Sequence, residues 1–229
     1  MEHIFAVRDE AQLRRYREFI SEIQPRLDEY LAYLDREFGV ESFPRAIVWT
    51  DERTATKLIS DIPIPAYTND YRVVFTPDLD VWRNIYLHQL DGLPESPEVR
   101  EIRDYYTQML TQNHVLQILG HEFAHHIDLF EDSDDERGIW FEEGMAEYIS
   151  RRYFLTAEEF RREEEINCQL VQLLTPRYGN HSLEEFGKET YKGDYASIFF
   201  EYWRSFLAVS KLAEDCGRDV RGMFKKREK

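Results

Sequence analysis

Two pairs of side chains able to grip a cation, each pair spaced by four residues, constrain this chain more than any other feature. His121 and His125 stand in HEFAH, and Glu143 and Glu147 in WFEEGMAEY. Residues four apart on an α-helix project from one face, so each pair converges on a single point. Val115, Leu116, Ile118, Leu119, Phe123, Ile127 and Phe130 recur around the histidines at spacings of three and four, which predicts a buried helix. Two imidazoles and the Glu122 carboxylate are costly in such surroundings unless they have partners. A metal ion would satisfy them: the imidazoles hold the ion, and Glu122 reaches its bound water. The competing reading is an ordinary helix with hydrogen-bonded histidines. His114 and His126 read as bystanders, the latter about 100° around the helix from His125.

A third ligand decides between the two readings, because a catalytic zinc keeps three protein ligands and leaves one position for water. A glycine followed by a His or Asp ligand directly after His125 is absent, since Asp128 and Glu131 occupy those places. No G-T-x-D segment follows either. Glu143 lies 18 residues past His125, enough for one helix to end, a loop to turn and a second helix to pack back. Glu143 then closes the metal shell, while Glu147 accepts a hydrogen bond from a ligand imidazole and orients it. Gly144 removes bulk where the helices approach. The acidic stretch at 131–136 reads as a solvated loop, because it lacks the spaced ligands of a calcium loop.

HEFAH followed at this distance by WFEEGMAEY resembles the gluzincin metallopeptidases, and the second segment is most similar to those of the aminopeptidases and bacterial collagenases. The resemblance covers residues 115 to about 150. Carried over position by position, it implies His121, His125 and Glu143 as zinc ligands and Glu122 as general base. It also implies a tyrosine or histidine from a later helix as oxyanion donor. In ETYKGDYASIFF, Tyr191 fits the expected place and Tyr195 is the alternative, with Asp194 as N-cap of the following helix. Zinc is expected over iron(II), because two histidines and a glutamate are the commoner hydrolase set.

The expected fold is α+β and mostly helical, a gluzincin-like single domain over 1–229. Residues 1–110 form a small N-terminal α+β half, and residues 111–229 form a helical half carrying the metal. Residues 9–38 read as helix, broken or kinked at Pro25. RAIVWT and YRVVFT read as strands, with a short helix around ERTATKLIS between them. Ser96 with Pro97, Thr156 with Glu159, and Ser182 with Glu185 mark further helix starts. Gluzincin substrates lie along an edge strand over the zinc, and YRVVFTP is the candidate for that edge.

A formal charge of −16 argues against nucleic-acid binding, and the basic end KKREK reads as a frayed tail. There is no apolar run of transmembrane length and no leader pattern, and two cysteines make no disulfide scaffold. A cytoplasmic protein without a membrane partner is the expectation. The function expected is zinc-dependent hydrolysis of peptide or protein substrates. The chain has no G-x-M-E-N segment to hold a free amine, which favours an endopeptidase or oligopeptidase over an aminopeptidase. The remaining alternative is a catalytically silent scaffold.

Overall fold

A computed structural model of the chain describes residues 1–60, 62–130, 138–187 and 190–227, with 225–227 described by their backbone alone. The acidic stretch at 131–136 lies outside the described residues, as do residues 228 and 229. The elements run β1 (Glu2–Ala6), α1 (Glu10–Phe38), β2 (Ala46–Thr50) and α2 (Glu52–Thr54), which enters a π-helical turn at Ala55–Ile59. Next come β3 (Ala66–Asn69), β4 (Arg72–Phe75), α3 (Leu79–His88), α4 (Pro97–Gln108) and α5 (Gln112–Ala124). The chain continues through α6 (Ile139–Phe154), α7 (Ala157–Tyr178), α8 (Tyr195–Asp215) and α9 (Val220–Arg227), with 3-10 turns at Leu183–Glu185 and Thr190–Lys192. The architecture is mostly helical with one small sheet, as the α+β expectation required. No described helix is long and apolar enough to cross a membrane.

The sheet has the order β1-β2-β4-β3, parallel except for β3, which pairs antiparallel with β4. Alternation sorts its side chains. Ile47, Trp49, Val73 and Phe75 face the main core, while Val48 and Val74 pack with Ala55 on the other face. Strands buried on both faces belong in the middle of a sheet. YRVVFTP is therefore not the edge: β4 lies between β2 and β3, and β3 is the edge on that side.

Pro25 does not break α1, which runs unbroken to Phe38. Pro25 and Ser21 are both exposed, so the Ser21 carbonyl that loses its amide partner faces water. The buried stripe of Tyr16, Ile23, Leu27, Tyr30, Leu34 and Phe38 is undisturbed. The expected capping boxes form at Thr156 and Ser182. Lys225–Arg227 continue α9 rather than fraying.

The helix α5 is the central post, starting at the Thr111 cap and buried from His114 to Ala124. It packs on α6, and α6 packs on α8. A Cβ at Gly144 would stand 2.6 Å from the Ser205 carbonyl oxygen. Only glycine lets α6 and α8 come this close.

Candidate metal centre

The last turn of α5 brings His121 and His125 to one face, and the first turns of α6 bring Glu143 opposite them. His121 Nε2 lies 3.1 Å from His125 Nε2 and 3.1 Å from Glu143 Oε2. Glu143 Oε2 lies 3.4 Å from His125 Nε2. One ligand atom from each residue thus closes a near-regular triangle, a group able to hold a metal ion.

The opposite ring nitrogens face carboxylates. His125 Nδ1 is hydrogen-bonded to Glu142 Oε1 at 2.8 Å. His121 Nδ1 stands 3.2 Å from Glu147 Oε1, off the line of a hydrogen bond. A proton on each Nδ1 leaves both Nε2 lone pairs aimed at one point. Glu143 Oε2, buried and without a hydrogen-bond partner, aims there too. Three electron pairs converging in a buried space need a cation between them, or protons in its place. In the metal-free protein protons do this. Burial disfavours the charged His121 imidazole, but the Glu143 and Glu147 carboxylates outweigh it and raise it to about 9. Burial is likewise outweighed at His125, which Glu143 and Glu142 hold well above the usual imidazole range. Burial would raise Glu143, yet the two imidazoles keep its carboxyl well below the ordinary carboxylate range.

A family model for the M9 peptidases, described as collagenase, matches residues 88–223, more than half of the 229-residue chain. The chain belongs to this family. M9 is a gluzincin zinc metallopeptidase family, as the two segments in the sequence imply. Comparison with curated proteins and with solved structures finds no match. The family implies zinc, and this donor set fits it. A tetrahedral zinc with bonds of about 2.0–2.1 Å spaces its ligand atoms about 3.3–3.4 Å apart. The triangle measures 3.1, 3.1 and 3.4 Å.

In this collagenase-family chain the triangle opens on a cleft of about 730 Å³. Glu122 is 7 % exposed and lines it. Burial pushes its carboxyl up to about 7, and no hydrogen bond engages that carboxyl among the described residues. Tyr191 sits on the 3-10 turn before α8, and its hydroxyl donates to Glu143 Oε1 at 2.7 Å. Tyr195 turns elsewhere, donating to the Pro63 carbonyl. The structure thus brings His121, Glu122, His125, Glu143 and Tyr191 to one cleft. His126 stays outside, with Nε2 2.8 Å from Thr68 Oγ1 on β3, and His114 caps the start of α5.

Four contributors escaped the sequence reading. Glu142 faces His125, although the four-residue spacing had pointed to Glu147 alone. Tyr202 places its hydroxyl 3.1 Å from that of Tyr191. Arg151, 4 % exposed, donates to Glu147 Oε2 at 2.7 Å and pairs with Glu163 Oε2 at 3.2 Å. Glu163 in turn accepts from Tyr105, whose hydroxyl lies 3.1 Å from His114 Nε2. Arg151 follows Glu147 by four residues, a spacing that signals an ion pair. Nothing local signals Glu163.

Proposed function

We propose that this chain is a zinc-dependent endopeptidase or oligopeptidase built as one gluzincin-type domain over residues 1–229. In this reading His121, His125 and Glu143 hold the metal, and Glu122 is the general base. The observation that carries it is the convergence of three lone pairs at tetrahedral spacing beside the buried Glu122 carboxylate, which no hydrogen bond engages among the described residues.

Held by His121, His125 and Glu143, zinc would supply Lewis acidity to a carbonyl oxygen and make water acidic enough to attack near neutral pH. Glu122, buried beside the triangle, is the base for the proton of the attacking water and returns it to the leaving amine. Glu142 accepts the Nδ1 proton of His125, and Glu147 places its negative charge 3.2 Å from Nδ1 of His121, so both carboxylates favour a lone pair at Nε2. Tyr191 is held well above the ordinary phenol range, by burial first and by Glu143 second. It therefore keeps its hydrogen and remains a donor for the oxyanion of the tetrahedral intermediate. The edge strand β3 offers its free side to a substrate backbone, which gains register from main-chain hydrogen bonds.

The test is zinc-loaded wild type against Glu122→Gln on N-terminally blocked peptides. Wild type should cut internal bonds. Glu122→Gln should keep its zinc and fold and lose ~10²–10⁴-fold in turnover. Equal inertness of both across a broad peptide library, with zinc bound, would contradict the reading and favour a silent scaffold.

A further inference from the structure

Strand β3 has only four residues, Ala66–Asn69, and among the described residues it pairs on one side only, with β4. Its height over the metal triangle therefore depends on what ties it to the helices beneath. Two side chains do so. Tyr195 on α8 donates to the Pro63 carbonyl, just before the strand begins. Further along, Thr68 Oγ1 lies 2.8 Å from Nε2 of His126, the residue that follows the metal ligand His125. Alternation along the strand lets Thr68 reach. Tyr67 packs with Val48 and Val74 on one face of the sheet, and Ala66 faces the main core on the other. Thr68, two residues on, shares the side of Ala66.

His126 stands on a fixed base. Its amide donates to the Phe123 carbonyl in the turn that ends α5. Two residues on, Asp128 Oδ1 accepts from the Glu41 amide at 2.7 Å, and the Asp128 amide donates to the Gly39 carbonyl at 3.1 Å. The end of α5 is thereby pinned to the connection between α1 and β2. We propose that His126 is a positioning residue: through Thr68 it holds the edge strand where a substrate carbonyl, paired to that strand, meets the metal and Glu122. The proposal rests on the peptidase reading of the same cleft and adds to it a residue outside the metal shell. A threonine hydroxyl donates and accepts, so either tautomer of a neutral His126 ring makes the bond. Strand and ion then share one support, because His125 and His126 lie in one turn. A substrate displaced by about 1 Å loses about 10²-fold in rate, so a drifting strand shows in turnover and leaves metal binding alone.

Thr68→Val removes the hydroxyl, keeps the shape and suits a strand, whereas Thr68→Ser restores the hydroxyl. Thermal melts will verify folding, and zinc affinity by chelator competition should be equal in wild type and both variants. Two probes read the strand without catalysis. Acetohydroxamate reaches only the metal, and a blocked tripeptide hydroxamate reaches metal and strand together. The tripeptide should bind zinc-loaded wild type more tightly than acetohydroxamate does. That advantage should shrink roughly 10-fold in Thr68→Val and return in Thr68→Ser, with kcat on blocked peptides falling roughly 10–10²-fold and recovering alongside. His126→Leu should shrink the advantage as Thr68→Val does, and the double variant should be no worse than either single one, since both remove the same bond. A tripeptide with no advantage in wild type overturns the proposal. So does an advantage that survives in Thr68→Val, or losses that add in the double variant. If wild type cuts no peptide, the peptidase reading falls, and the ratio of the two hydroxamates still decides whether His126 positions the strand.

Discussion

Replacing Arg151 with Met tests how deeply the metal centre depends on charge behind it. Arg151 is 4 % exposed and holds two carboxylates, the half-buried Glu147 at 2.7 Å and the buried Glu163 at 3.2 Å. Its guanidinium also lies 4.1 Å above the Phe206 ring. Methionine keeps much of the volume and removes the charge, leaving two largely enclosed anions without their shared cation. Breaking such a pair from one side costs about 3–5 kcal/mol. For a chain of this size that is a fall in melting temperature of roughly 6–20 °C. Glu147 keeps Gln117 as a donor at 3.2 Å but loses the group that fixes Oε2 and aims Oε1 at His121. Loss of a partner that orients a metal-bound histidine weakens metal binding by roughly 10–100-fold. Thermal melts of metal-free and zinc-loaded protein, with zinc affinity from chelator competition, read both effects. Arg151→Lys keeps the charge without the planar fork and should fall between. An Arg151→Met protein with unchanged melting temperature and zinc affinity would refute the reasoning, because Glu147 would then need no positioning.

Four further outcomes rest on the same geometry. His121 is raised to about 9 in the metal-free protein, above its unfolded value, so its contribution to stability is full below about pH 6.5 and is lost as pH rises through 9. Melting of metal-free protein from pH 6 to 10 should show that decline. Zinc must displace the same protons, so at pH 7 calorimetry in buffers of different ionisation heat should find about two protons released per zinc, with affinity increasing as pH rises. Glu142→Ala should weaken zinc by roughly 10–100-fold, through His125 alone, whereas Glu143→Ala should abolish tight binding; the reverse order in chelator competition would show the α6 register to be misassigned. Tyr191→Phe should retain zinc and lose ~10²-fold in kcat if its hydroxyl meets the oxyanion; unchanged kcat in steady-state assays would assign the hydroxyl to Glu143 alone.

Local spacing carried as far as local physics reaches. The helix period placed His121 with His125, and the two-helix distance placed Glu143 opposite them, because each depends on a few consecutive residues. The capping boxes at Thr156 and Ser182 were legible for the same reason. Glu142 was not. His125 sits where α5 ends, and which of two adjacent glutamates meets its Nδ1 depends on how α6 packs across it. The partner of Arg151 was equally hidden, since Glu163 comes from α7, beyond a change of helix direction. In the sheet, propensity identified β2 and β4 but says nothing of strand order, so the edge was misassigned. β1 lacks a signal of its own; Glu2–Ala6 becomes a strand by pairing in parallel with β2. Pro25 does not break α1, because the cost of a helix proline depends on whether the orphaned carbonyl faces water, which only packing decides.

The account's central claim is that His121, His125 and Glu143 together hold one metal ion. Zinc content per chain, by elemental analysis after reconstitution and desalting, tests it most directly in wild type and Glu143→Ala side by side. The account predicts about one zinc per chain in wild type and almost none in folded Glu143→Ala. No zinc in wild type, or equal zinc in both, would contradict it.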